Sequence, residues 1–330
     1  MTTTTLPIRH PRVPRKYVPV LGTACLFVAM FVAGGIRYEG FATGQILLNV
    51  LVDNSFLLVI AVGMTFVILA GGIDLSVGSV VGLSTMIAAS LLSGPGAWPS
   101  PLVMLLVLAI GTALGMAMGA IIHFFEIQPF IVTLAGMFLA RGLCYTISTD
   151  SIPISDPLFT AIAQTRIDLT SELWISPSVL IGLFVVLVAA YVLHYTRLGR
   201  NVYAVGGGEQ SALLMGLPVA RTKIAVYTIS GFCSALGGLL FAFYTLSGYG
   251  LHAVGWELDA IAAVVIGGTL LTGGSGYVLG TVLGVLMLGL IQTVLSFEGT
   301  LSSWWTRIVI GLLLFVFIVL QRLIAWRARS

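Results

Sequence analysis

Residues 50–92 read VLVDNSFLLVIAVGMTFVILAGGIDLSVGSVVGLSTMIAASLL. Two apolar runs, 50–70 and 75–92, are joined by Gly71-Gly72-Ile73-Asp74. Each run approaches the roughly 20 residues that a membrane-crossing helix takes. The glycine pair lets the backbone turn sharply or lets two helices approach closely. Neither run alternates apolar and polar residues as the strands of a membrane barrel do.

The same texture fills the chain. Of 330 residues, 58% are hydrophobic and 8% charged, against roughly 25% charged in a soluble domain. A soluble fold of this length cannot cover its surface with so few charges. That excludes a cytosolic globular enzyme, a nucleic-acid-binding domain and a disordered chain, and leaves an all-α polytopic membrane protein. Apolar runs place ten transmembrane helices near 17–36, 50–70, 75–92, 101–123, 128–148, 177–195, 223–247, 257–272, 275–295 and 303–322. The first run is long for the apolar part of a cleaved signal, so it reads as an uncleaved helix. Cys25, Cys144 and Cys233 stand singly and the four histidines are far apart, so neither a disulfide framework nor a metal site is indicated.

The basic residues orient the chain. Arg9, Arg12, Arg15 and Lys16 lie in the tail 1–16. The loop between the sixth and seventh helices carries Arg197, Arg200, Arg221 and Lys223, and the C-terminal tail carries Arg322, Arg327 and Arg329. With both termini cytoplasmic, eleven of the fifteen Lys and Arg fall inside, as the positive-inside rule requires. The expected organisation is a basic tail 1–16, one transmembrane domain 17–323 and a tail 324–330. The outer loop 148–176 holds Asp150, Asp156, Asp168 and Glu172 against Arg166 alone. It reads either as a solvated loop or as a docking surface for an extracytoplasmic partner.

An internal repeat is present. Gly71, Gly72, Gly78, Ser79 and Gly82 match Gly273, Gly274, Gly280, Thr281 and Gly284 at a constant offset, and Ala61-Val62 matches Ala263-Val264. The expectation is two related hairpins, helices 2–3 and helices 8–9, flanking a central pathway.

Lys16 and Lys223 are the only lysines and neither follows a glycine, so no P-loop exists. ATP-driven work would need a separate subunit. Ionisable groups near mid-membrane are few: Asp74, Glu126 and Arg141. They form no proton relay, which weakens gradient-driven transport. Asp74 and Arg141 are the candidate path residues; Arg141 either has a carboxylate or carbonyl partner or lines a hydrated path. In the loop 196–222, Gly206-Gly207-Gly208 precedes Glu209, Ala212, Leu213, Leu214, Met215 and Gly216, a short helix bounded by glycines. Residues 206–217 carry no Lys or Arg, so its apolar face suits a protein groove better than a lipid surface. Together these features describe an import permease without its own motor.

Several motifs resemble the ribose/galactofuranose-type sugar ABC transporter permease family. They are Ala70–Ser79, Pro129–Met137, Arg141-Gly142, Glu257–Thr269 and Gly273–Thr281. The resemblance covers about 17–323, and the segment Phe297–Thr306 most resembles one of the two permeases of galactofuranose importers. It implies a multi-pass protein of the bacterial inner membrane with no catalytic residue and no bound cofactor of its own. ATP and Mg would sit on a cytoplasmic ABC ATPase. A periplasmic sugar-binding protein and a second homologous permease, in a heterodimer, complete the implied partners besides the bilayer; nucleic acid is not among them. The family's coupling segment resembles Gly199–Leu217, including Gly199, Gly206, Gly207, Glu209, Ala212, Leu213 and Gly216. Gly208 departs from it, standing where asparagine is usual. Trp304 and Trp305 read as an interfacial belt or as a sugar-stacking pair.

Overall fold

A computed structural model describes residues 18–94, 96–299 and 304–327. The basic tail 1–16, residues 300–303 and Arg329 lie outside the described residues. Helices occupy every expected span. The first five are α1 (Val18–Arg37), α2 (Gly44–Asp53), α3 (Ser55–Leu69), α4 (Val77–Leu92) and α5 (Ser100–Phe124). Then come α6 (Pro129–Ile147), α7 (Pro157–Gln164), α8 (Pro177–Tyr195), α9 (Arg197–Gly207) and α10 (Glu209–Leu214). The last are α11 (Val219–Thr245), α12 (Trp256–Ile266), α13 (Val278–Glu298) and α14 (Trp304–Arg327).

Among the described residues, six helices are long and apolar enough to cross a membrane, seven if the bent pair α2–α3 counts as one. The protein is therefore an all-α polytopic membrane protein. The other expected crossings fall on α4, α12 and α14. α12 has 11 residues, about 16 Å at 1.5 Å per residue, half the hydrocarbon thickness.

The short helix α3 is central. Every residue of α3 is buried, as an apolar surface on all sides demands. It packs on α11, α8, α12 and α13. The expected single span 50–70 is broken: α2 and α3 meet at 60°. Side chains absorb the carbonyls freed at the bend. Asn54 Nδ2 donates to Val50 O at 2.9 Å and Ser55 Oγ to Val52 O at 3.0 Å.

The 27-residue α11 is the hub, packed on α5, α3 and α4. Gly111, Gly115 and Gly119 form one stripe of α5 against it. A Cβ at Gly115 would overlap the Tyr227 carbonyl, and one at Gly231 the Gly111 carbonyl. Two backbones touch there, the close approach that small residues at four-residue spacing permit in membranes.

The paired hairpins need correction. α12 packs along α13, with Gly280 against Gly267 and Gly284 against Ala263. α3 and α4 scarcely touch; α4 lies instead on α11, α6 and α5. The matching glycines of α4 therefore have other neighbours: Gly78 meets Ala253 and Glu257, and Gly82 meets Arg141 and His252. α12 also stops early, because Gly267-Gly268, with φ +93 at Gly268, interrupts it where α3 continues through Thr65 and Phe66.

The loop 148–176 is an ordered cap, most of whose residues are exposed. Its strand β1 (Ile152–Pro153) pairs antiparallel with β4 (Ser247–Gly248), and β2 (Ile167–Asp168) with β3 (Trp174–Ile175). Asp156 caps α7 by accepting from Leu158 N and Phe159 N, and takes Ser100 Oγ at 2.7 Å. Phe159 is fully buried against Phe243.

Interactions between connections sort into two ends. At one end Tyr38 donates to Glu298, Trp174 N to Gln45, Ser93 to Pro153 and Tyr244 to Asp53. At the other, Gly274 N donates to Leu69 O and Tyr203 to Gly276 O. Every one of these joins connections expected on the same side.

Candidate functional site: the glycine junction at the end of α9

The loop after α8 turns abruptly into α9. Thr196 caps α9 by accepting from Gly199 N at 3.3 Å. A Cβ at Gly199 would overlap the Val192 and Leu193 carbonyls, so the turn depends on glycine. α9 then runs onto both repeat loops. Its Tyr203 donates to Gly276 O at 2.8 Å. Burial pushes the Tyr203 phenol up to about 12, so it remains a donor at working pH.

At its end, three glycine-bearing segments meet. Gly274 N donates to Leu69 O at 2.9 Å, tying the second repeat loop to the first. Gly206 lies over that bond: a Cβ there would overlap the Leu69 carbonyl and stand 2.7 Å from Gly274 N. A Cβ at Gly273 would stand 2.8 Å from Gly71 N. Gly71, Gly273 and Gly274 have φ of +83, +82 and +73, a region that favours glycine. Gly71, Gly206, Gly207, Gly273 and Gly274 are thus one backbone-on-backbone junction. Gly72 faces Tyr227 instead, whose buried hydroxyl has no hydrogen-bond partner among the described residues.

α10 projects away from this junction. Ala212 is buried with Val205, Leu217 and Val219, and anchors it. Leu217 N donates to Ala212 O at 3.0 Å and Gly216 N to Leu213 O at 2.9 Å, with φ +73 at Gly216. That is the Schellman ending of a helix. Glu209 pairs with Lys223 at 2.6 Å. The tip exposes Leu213, Leu214 and Met215 at 59%, 90% and 66%, an apolar ridge that none of the described residues covers.

Asp74 sits just above the junction and is fully buried. Oδ1 accepts from Ser76 N at 2.9 Å and Ser76 Oγ at 2.6 Å, and Oδ2 from Ser230 Oγ at 2.7 Å. These contacts to the carboxyl pin the first repeat loop to α11. The matching position in the second loop is Gly276, held by Tyr203.

Arg141 is far from Asp74, at the opposite end. Nη1 donates to Gly250 O and to His252 O, the latter at 2.9 Å, so carbonyls are its partners. Gly82 leaves room for the guanidinium: a Cβ there would stand 2.9 Å from Nη1. Arg307 grips the same irregular segment through Val254 O at 3.4 Å. Arg141→Met should leave both carbonyls unpaired and cost about 2 kcal/mol. A lowered unfolding midpoint of the purified chain checks it; an unchanged midpoint would make the grip incidental.

Sequence reasoning missed Tyr203, Ser230 and the α5–α11 stripe. The four-residue spacing of Gly111, Gly115 and Gly119 is the signal that could have found the last. Tyr203 and Ser230 have no such signal.

A family model described as "Branched-chain amino acid transport system / permease component" matches residues 46–318. The "Inner membrane ABC transporter permease protein YjfF" of Escherichia coli is 46% identical over 96% of this chain and 96% of its own. The chain belongs to the sugar ABC transporter permease family. The "Fructose import permease protein FruG" of Bifidobacterium longum is 41% identical, covering 94% of this permease and 92% of that one. The "Ribose import permease protein RbsC" of Haemophilus influenzae is 40% identical over 88% and 89%. No solved structure matches the permease at a significant level.

Proposed function

We propose that this permease forms the translocation path of an ATP-driven monosaccharide importer in a bacterial inner membrane, with galactofuranose as its sugar. The single observation that carries the reading is the junction. The backbone of α9 rests on both repeat loops while α10 offers an exposed apolar ridge. Such a ridge fits a groove on a cytoplasmic ABC ATPase. ATP binding there displaces α10 and α9, and Gly206 passes the motion to the loops at Leu69 and Gly274. The two loops are bonded to each other, so α3, α4, α12 and α13 shift together and expose the path to alternate sides.

The basic residues Arg197, Arg200, Arg221 and Lys223 support a cytoplasmic placement of the junction. The opposite end, with its ordered cap, then faces a periplasmic sugar-binding protein. The resemblance of Phe297–Thr306 supports galactofuranose and a heterodimer with a second permease.

Two experiments test this. Changing Leu213 to Glu and Gly216 to Lys together should abolish co-purification of the ATPase, with membrane insertion unchanged; intact assembly would refute the docking role. Liposomes containing this chain alone should be idle. Solute uptake in them would favour a channel or a gradient-driven transporter.

A further inference from the structure

A second feature lies at the opposite end of the molecule. The cap 148–176 does not close flat onto the bundle. Between the end of α7, strand β3 and the outer ends of α2, α3, α8 and α11 it leaves a recess of about 510 Å³. That lies within the roughly 300–1,000 Å³ of small-molecule sites and is far above the roughly 30 Å³ share of one water.

Its chemistry is mixed. Val52, Phe243 and the ring of Tyr244 supply apolar wall, while Gln164, Ser176 and Ser178 supply amide and hydroxyl groups. The Ser176 hydroxyl is buried without a hydrogen-bond partner among the described residues. Ser176 occupies the N-cap of α8, yet its side chain makes no capping bond. A serine at that position ordinarily caps its helix, and a buried hydroxyl ordinarily has a partner. Here it is left for an occupant of the recess.

The walls are pre-formed. Trp174 N donates to Gln45 Oε1 at 3.0 Å and Gln45 Nε2 to Trp174 O at 3.3 Å, locking β3 to α2. Arg166 lies over the Trp174 ring at 4.6 Å, a cation–π contact that holds it at the rim. Arg166 is the one charged side chain of the lining. No carboxylate is among the lining residues, and Asp53, next to Val52 in sequence, is engaged by the Tyr244 hydroxyl at 3.2 Å. Hydroxyl-rich neutral molecules with an apolar ring face fit both kinds of wall.

We propose that this recess is an entry subsite for a neutral monosaccharide, occupied before the sugar enters the translocation path. The proposal rests on the sugar-import reading above and adds a place for the sugar on this chain.

The test uses the full chain with its native partners in intact cells, carrying Gln164→Cys or, separately, Thr165→Cys, two exposed positions of the lining. An external, membrane-impermeant maleimide labels the thiol. D-ribose, D-fructose, D-allose, D-galactofuranose and leucine compete in turn. The sugar that the wild-type importer accumulates should slow labelling of either variant at least threefold, and leucine should not. Leu169→Cys, on the turn outside the recess, should label at one rate throughout. Unchanged rates at 164 and 165, with sugar uptake intact, would overturn the subsite and leave the import reading standing. Labelling only in inverted vesicles would also overturn it. Failure of the wild type to accumulate any of the sugars would sink the import reading itself, and the subsite with it.

Discussion

Gly206→Ala should abolish sugar uptake, while Gly207→Ala should leave it near wild type. The two residues are neighbours at the end of α9, and helix propensity favours alanine at both by up to about 1 kcal/mol. Their surroundings differ. A Cβ at Gly206 would fall on the Leu69 carbonyl and crowd Gly274 N. Those are backbone atoms, which cannot swing aside like the end of a flexible side chain. The chain must separate α9 from the loops or break the Gly274 N–H bond to Leu69 O. Overpacking costs roughly 1–3 kcal/mol and an unpaired buried donor a similar amount, so the contact is lost by on the order of 3 kcal/mol. That corresponds to about a hundredfold loss of the docked arrangement. At Gly207 nothing lies within 4 Å of a Cβ. Radiolabelled sugar uptake, with ATPase co-purification as a control, separates the outcomes. Retention of the ATPase by Gly206→Ala with uptake lost would locate the defect in transmission rather than docking. Equal uptake by the two variants would remove the junction from the mechanism.

Asp74→Ala should be the most destabilising change at the first repeat loop. It strands three buried donors, Ser76 N, Ser76 Oγ and Ser230 Oγ. Each unsatisfied group costs roughly 1–3 kcal/mol, so the sum is on the order of 4 kcal/mol. Asp74→Asn keeps one acceptor oxygen and turns the other contact into donation to Ser230 Oγ, at about half the cost. Ser230→Ala, which removes one donor, should cost about 1 kcal/mol. Thermal unfolding of the purified permease in detergent ranks the three. The order Ala at 74, Asn at 74, Ala at 230 is expected. If Asn were as damaging as Ala, the carboxylate's charge rather than its bonds would hold the loop.

The ranking has a functional side. α11 begins two residues after the Schellman turn of α10 and is tied at Ser230 to the loop that Gly206 touches. The α9–α10 segment therefore reaches the first repeat by two routes, through contact at Gly71 and through α11. The second repeat is reached through Gly273, Gly274 and the Tyr203 bond to Gly276. Asp74 stands where the second repeat has Gly276, so the two loops are held by different chemistry despite their common glycines.

The apolar runs disclosed the class of protein, the positions of its helices and the short helix α10 with its terminal glycines. Those features are local: a backbone in lipid must satisfy its own hydrogen bonds, and a run of suitable length and composition is enough to say where it does so. The glycine repeat was equally legible, because it is a pattern along one chain. Its geometry was not. A hairpin was expected twice, and only α12 and α13 form one, because α4 is drawn onto α5, α6 and α11 by surfaces from distant parts of the chain. Asp74 and Arg141 looked alike as polar groups in apolar runs. Folding gave one a cluster of hydroxyl and amide donors and the other two carbonyls at the opposite end. The recess under the cap and the seat of Gly206 on Leu69 have no counterpart in any local pattern. Both arise where backbones from separate segments come within van der Waals reach, and composition and periodicity say which surfaces must be covered without saying which other segment covers them.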